Sequence, residues 1–283
     1  MATNRQKHIQ EVLKQADIER LLSLMNELEG QGRSEVISSL SGELTEAKKK
    51  AAVSRVQQAV VLTDGKVKEW LVPAISTAYV AGMNATQDFI SKFGFYTGLG
   101  KVTVETLKSV SDMRPHLEAV NSLLSDAYLD FGSGMTGFVK GVEHTLNDTL
   151  KRQIQSKLAI GRLTGEGIRE IKKEIVEQLS ARGFQVLLDR GGHQWTLQGY
   201  SEMLARTHII RTNTEATVNR GTQLGIDVYE VSTHGAVDRL CAPQEGKLYS
   251  VSGQNYPRLT RENTPPFHPN CKHTLLARPD LDR

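Results

Sequence analysis

The chain has 283 residues and is 39% hydrophobic, enough for the core of one large domain or two modest ones, which excludes global disorder. Its formal charge is +3, and from Asp189 onward 11 Lys+Arg stand against 10 Asp+Glu, a net of +1, so bulk charge marks no nucleic-acid footprint. Two cysteines make no disulfide scaffold, no apolar run reaches the ~18 residues of a membrane span, and the start, MATNRQKHIQEVLKQ, lacks the apolar core of a secretory signal. The expectation is a protein made in the cytosol, where bound metal or free thiols are favoured for the cysteines.

Over residues 4–30, Ile9, Val12, Leu13, Ile18, Leu21, Leu22 and Leu28 recur at helical spacing, and Gly30 and Gly32 are expected to end that helix. A second charged helix is expected over 34–60. Its Lys48, Lys49 and Lys50 are a candidate DNA or partner contact, against which stands a plain solvated helix face. The two segments form an arm over 1–63. Such polar helices bury little alone and pack on another subunit.

Asp64-Gly65 is expected to turn the chain into a helical body, 64–183. There Val67, Leu71, Ala74, Ala78, Gly82, Ala85 and Phe89 share one face, and its small residues admit a second helix closely. Pro73 either kinks that helix or sits at its first turn. FGFYTGLGKV (93–102) reads as a loop, and Leu117, Val120, Leu124, Ala127 and Phe131 as the next helix. GSGMTG (132–137) is expected to break the chain before a helix carrying Val139, Val142, Leu146, Leu150, Ile154 and Leu158, which ends near Gly161. Lys151, Arg152 and Lys157 complement the dipole at its end. Thr164 caps a further helix to about Ala181, closed by Gly183.

The last segment, 184–283, changes character. FQVLL (184–188) has β character, DRGGHQW (189–195) reads as a hairpin turn, and Thr196 caps a helix from about Gln198 to Arg220. That helix carries an unusual polar load. Arg206, Arg211 and Glu215 are expected in a buried polar network locking it to the terminal fold, with Arg211 and Glu215 paired at i,i+4. VYEVS (228–232) alternates and is a strand candidate, KLYSV (247–251) is a second and TLLA (274–277) a third, joined by turns rich in Gly, Pro and Asn. The fold class is mainly α with a small C-terminal α+β module.

Between His234 and His273 lie both cysteines and three of the eight histidines. A zinc site needs three or four soft or borderline ligands that converge. Cys241 follows the first strand, His268, Cys271 and His273 form an H-x-x-C-x-H cluster, and His234 or Asp238 can add a ligand. Two other readings stay open: a proline-stiffened loop with core cysteines, or a Cys241–Cys271 disulfide. Catalysis fits less well. A thiol nucleophile needs a base held against it, and a nuclease of the HNH kind spreads its residues over a ββα unit, not six positions. No Walker A, Rossmann, HExxH or GxSxG motif occurs.

Several stretches carry a resemblance: Gly191-Gly192-His193-Gln194-Trp195-Thr196, Tyr200 to Thr207, Asn219-Arg-Gly221, Gly225 to His234, Cys241 to Gly253, and Thr264-Pro-Pro266-Phe-His268-Pro-Asn-Cys271-Lys-His273. In this order, over about 185–279, the chain resembles the phage minor capsid protein family related to Mu F-type head-morphogenesis proteins. The resemblance implies a structural, non-enzymatic protein of the capsid interior. It implies partners in the portal protein, the major capsid protein, copies of itself and the packaged DNA, with no membrane, and a role in head assembly or in genome packaging and ejection. The arm Cys241-Ala-Pro-Gln lacks the second cysteine of relatives with a fuller set, which weighs against a four-ligand metal site. Rival readings are a metal-dependent nuclease or nucleotide-processing toxin, and a DNA-binding module.

Overall fold

The computed structural model describes residues 2–39, 45–94, 100–149, 184–189 and 192–282, with the isolated positions Glu170, Lys173 and Glu177; the side chains of 2–6, 148 and 149 are left aside. The expected helix end near Gly161 with its basic spot, most of the expected 164–181 helix with Gly183, part of the 93–102 loop and Gly191 lie outside these residues.

Among the described residues the helices are α1 (Ala2–Gln15), α2 (Ile18–Ser39), α3 (Glu46–Ser91), α4 (Val104–Ser109), α5 (Arg114–His144) and α6 (Leu197–Gln223). The strands are β1 (Leu187–Leu188), β2 (Gln194–Trp195), β3 (Val228–Val231), β4 (Leu248–Ser250) and β5 (Leu275–Ala277). The protein is thus mainly α with a small C-terminal α+β module. It divides into two compact units, one of Met1–Ile18, Trp70–Tyr128 and Met203–Arg283, the other of Glu19–Glu69 and Leu129–Glu202. Helices α3, α5 and α6 each contribute to both.

Three expected breaks are absent. The chain breaks at Ala16–Asp17, not at Gly30: Asp17 has φ 50°, and the Trp70 indole donates to the Ala16 and Asp17 carbonyls at 2.8 and 2.9 Å. The indole thereby satisfies acceptors that the broken helix leaves open. Helix α2 runs on through Gly30 and Gly32. A Cβ on Gly32 would stand 2.6 Å from Phe138 Cζ, so this glycine serves close packing. Helix α3 continues through Asp64-Gly65, where Lys68 pairs with Asp64 at 3.1 Å, and through Pro73. A lone exposed glycine costs only about 1 kcal/mol relative to alanine, which a helix of 46 residues absorbs. Helix α5 continues through 132–137 as well. Gly134 packs on Tyr200, and a Cβ on Gly141 would lie 1.9 Å from the Val186 carbonyl oxygen.

In the second unit, Phe131, Met135, Phe138, Val142 and Phe184 are buried, and the Phe138 and Phe184 rings meet edge to face at 5.9 Å. Strands β1 and β2 form the expected hairpin, pairing Leu187 with Trp195 and Leu188 with Gln194. The Asp189 carboxylate accepts from the His193 amide and the Trp195 indole, both at 2.9 Å. Thr196 caps α6 as expected, its hydroxyl accepting from the Gly199 amide at 3.0 Å.

In the first unit, the stripe of small residues does admit a second helix. A Cβ on Gly82 of α3 would lie 2.7 Å from the Asn213 carbonyl and 2.9 Å from the Ala216 Cβ of α6. The strands read as VYEVS, KLYSV and TLLA form one antiparallel sheet in the order β4-β3-β5. Tyr229 pairs with Tyr249 on one side and Ala277 on the other. Ile90, Ile226, Tyr229, Val231, Tyr249, Leu275 and Ala277 make the core beneath it. This sheet sets the loop after β3 beside the loop before β5.

Candidate metal centre in the C-terminal module

Each side of the centre is held by local backbone chemistry. On the first loop, the Asp238 carboxylate accepts from the amides of Leu240 and Cys241 at 3.0 and 2.7 Å. This Asx turn places Cys241 at the head of the short 3₁₀ turn Ala242–Gln244. On the second loop, Asn270 takes φ 63°, and the Cys271 amide donates to the His268 carbonyl at 3.1 Å. Asparagine tolerates this left-handed conformation. His273 lies two residues before the start of β5. The Ser232 amide donates to the Thr274 carbonyl at 3.0 Å and clamps the two loop bases together.

The sheet brings Cys241, Cys271 and His273 into one buried cluster, exposed by 1, 1 and 3%. The two sulfurs are 3.6 Å apart and unbonded, and Cys271 Sγ lies 3.5 Å from His273 Nδ1. His273 Nε2 faces the Glu245 carboxylate at 2.9 Å. That carboxylate also accepts from the amides of His234 (2.7 Å), Ala236 (3.0 Å) and Gly235 (3.2 Å). Burial works against the Glu245 charge, but His273 and the His234 and Ala236 amides outweigh it and hold the carboxyl at about 2. Burial, and then the neighbouring Cys271 sulfur, push the Cys241 thiol up to about 12. A second set, Asp238, Cys241 and His268, shares Cys241, with its ligand atoms all within 4.8 Å of one another. His268 Nδ1 donates to the Pro269 carbonyl at 2.6 Å, which leaves Nε2 as the ring's acceptor.

His234 falls outside both sets. Its Nε2 bonds the Ser232 hydroxyl at 2.8 Å, and its ring lies edge-on to His273 at 4.8 Å. Of the α6 residues, Arg211 reaches Asp126 of α5 at 3.4 Å, while Glu215 is held above the usual carboxylate range by burial, partly offset by the Arg211 charge. Arg206 instead lines a cavity of about 510 Å³ with Ile9, Leu13, Ile210, Cys271 and Lys272. Lys48 and Lys50 are exposed at the head of α3, and Lys49 pairs with Glu46 at 2.8 Å. Glu245 was not legible as part of the centre. Nothing in the run Cys241-Ala-Pro-Gln-Glu245 distinguishes it from a surface acid.

Fold and site together define a helical protein whose chemistry-bearing side chains close on one another between two loops at one end of a small sheet. The sequence profile of the family described as Phage minor capsid protein 2 matches residues 47–277, and the chain belongs to that family. It is a bacteriophage structural protein. It is similar to a protein named "Structural protein" from Lactococcus phage LL-H, 23% identical over 235 residues, which cover 80% of this chain and 62% of that one. The chain thus spans less than two thirds of that relative's length. No solved structure matches it. Among the described residues, no helix is long and apolar enough to cross a membrane.

Proposed function

We propose that the chain is a structural part of the capsid interior near the portal, acting in head assembly or in genome packaging and ejection, and that it catalyses no reaction. The closed character of the Cys/His cluster carries this reading. Cys241, Cys271 and His273 are buried, and every Glu245 contact is a donor that holds a loop. A nuclease or nucleotide-processing site needs an acid, base or metal-bound water facing substrate. Here the cavity beside the loop meets the cluster only at Cys271, and its other walls are Ile9, Gln10, Leu13, Arg206, Ile210, Asn270 and Lys272. Family membership supplies the virion. Portal protein, major capsid protein and further copies of the chain are the partners this reading implies.

The test is made on purified virions. The chain is expected in intact particles, protected from protease until the heads are opened, and cross-linked to portal protein rather than along the whole shell. Its absence from mature heads, or digestion on intact ones, would overturn the placement. The enzyme reading is tested by His268→Ala: turnover on DNA or nucleotides that vanishes in a still-folded variant would replace the structural one.

A further inference from the structure

We propose that Cys241 Sγ, Cys271 Sγ, His273 Nδ1 and His268 Nε2 form a four-coordinate structural zinc site that ties the loop after β3 to the loop before β5. This goes beyond the placement of the chain in the head and does not depend on it.

Three observations point to zinc. The first is spacing. Zn–S of ~2.3 Å and Zn–N of ~2.0–2.1 Å at the tetrahedral angle give edges of about 3.8 Å between sulfurs and about 3.5 Å between sulfur and nitrogen. The Cys241–Cys271 and Cys271–His273 separations are 3.6 and 3.5 Å. Two edges of one tetrahedral face therefore already have zinc spacing, and the third, Cys241 to His273, lies within 4.8 Å; His268 meets this face through Cys241, with which it shares the second set, and closes on the ion as the fourth corner. The second is the state of the imidazoles. A zinc-bound histidine donates its far N–H to a carboxylate or carbonyl, which fixes the tautomer and orients the ring. His273 gives Nε2 to Glu245 and keeps Nδ1 towards the Cys271 sulfur; His268 gives Nδ1 to the Pro269 carbonyl and keeps Nε2 towards Asp238, 3.8 Å away, in the set it shares with Cys241. The third is charge. Two thiolates and one divalent ion sum to zero, so this buried pair of sulfurs ionises without leaving net charge on the three groups.

Asp238 is the rival for the fourth corner. Its Oδ1 is already engaged by the amides of Leu240 and Cys241, which makes it the holder of Cys241. Two sulfurs and two nitrogens select zinc over the hard cations, which prefer oxygen. The missing second cysteine of the first arm is replaced in this arrangement by histidines of the second loop. The ion would close a span of 30 residues between Cys241 and Cys271, in a module whose three strands are of three or four residues each.

The full chain, purified without chelator, is expected to carry about one zinc per molecule by elemental analysis. Cobalt in its place should show tetrahedral visible bands and a thiolate-to-cobalt charge-transfer band. Cys241→Ser and Cys271→Ser should lose the metal. Because these two variants can fail to fold, two milder ones decide the matter in folded protein. Glu245→Gln should keep the stoichiometry and bind about 10–100-fold more weakly. His268→Ala should keep the charge-transfer band while the visible bands change, as a solvent ligand takes the open corner. Metal content unaffected by the cysteine variants overturns the proposal. So does a cobalt spectrum without thiolate character, a Cys241–Cys271 disulfide in freshly purified protein, or a metal-free wild type whose melting zinc does not move.

Discussion

Asn219 donates to the Tyr79 hydroxyl at 2.9 Å, which lies 3.0 Å from His116 Nδ1, while His116 Nε2 faces Gln223 Oε1 at 3.0 Å. Arg220 donates to that same Gln223 oxygen at 2.7 Å and to Gln87 with its other nitrogen. Each donor finds its acceptor only if His116 is neutral and carries its proton on Nε2. Burial lowers the His116 pKa from the usual 6.5; the hydrogen bond to Gln223 offsets part of this, and the nearby Arg220 charge, the smallest of the three effects, lowers it further. The sign follows. As pH falls through 6.5 the unfolded ring takes up a proton and the folded ring does not, so stability is full above that pH and is lost on acidification. Melting temperature should fall from pH 7 towards pH 5 more steeply in wild type than in His116→Gln; parallel curves would sink this account. Tyr79→Phe leaves Asn219 and His116 Nδ1 without their partner in the buried chain and should cost about 1–3 kcal/mol in urea unfolding.

Helices here tolerate glycine for two different reasons, and alanine substitution separates them. Gly65 in α3 has nothing within 4 Å of an added Cβ. Gly65→Ala should therefore stabilise by about 0.5–1 kcal/mol through helix propensity. At Gly141 the added carbon would lie 1.9 Å from the Val186 carbonyl oxygen and 2.7 Å from its carbon, so backbone rather than a side-chain tip would have to shift. Gly141→Ala should destabilise by about 1–3 kcal/mol, the usual range for overpacking, or more. Chemical denaturation of the two variants side by side reads the contrast, and equal effects of one sign would mean α5 does not pack on 184–188 as described. The same glycines explain why helix boundaries were hard to read. From composition, GSGMTG and Asp64-Gly65 look like breaks, because a glycine that costs a helix propensity and one that admits a neighbour's backbone are the same letter. The strands behaved differently: VYEVS, KLYSV and TLLA are short apolar runs bounded by turn residues, and all three pair.

For the molecule as a whole, the formal charge of +3 leaves little attraction for a polyanion. The only lysine run at the head of a described helix, Lys48–Lys50, is divided by the Lys49–Glu46 pair. Three phosphate contacts would give a log–log salt slope no steeper than about −2.7 on duplex DNA. Anisotropy with a labelled duplex should show binding that fades by physiological salt and changes little in Lys48→Glu/Lys50→Glu. A slope of about −6 or steeper would place a DNA footprint on another surface. The two compact units are drawn from separated stretches of chain, whereas sequence reading places divisions in consecutive order at 63/64 and 183/184. Long helices that cross from one unit to the other carry no composition shift at the crossing, so no local signal marks it.

The sequence by itself determined the class: a mainly helical chain, a short-stranded C-terminal module, a capped polar helix feeding it, and a phage capsid resemblance that the family match bears out. These are properties of periodicity, caps and motif order, which are local and survive in one dimension. Only the tertiary structure decided which residues meet. It set Cys241 against Cys271 across 30 residues, turned His234 to Ser232, and recruited Glu245 behind His273. It also joined Tyr79 to His116 across 37 positions of chain and to Asn219 across 140, and His116 to Gln223 across 107. The physical reason is that a buried polar side chain must find a partner wherever the packing of helices and strands supplies one, and that partner's place along the chain is set by topology, not by spacing.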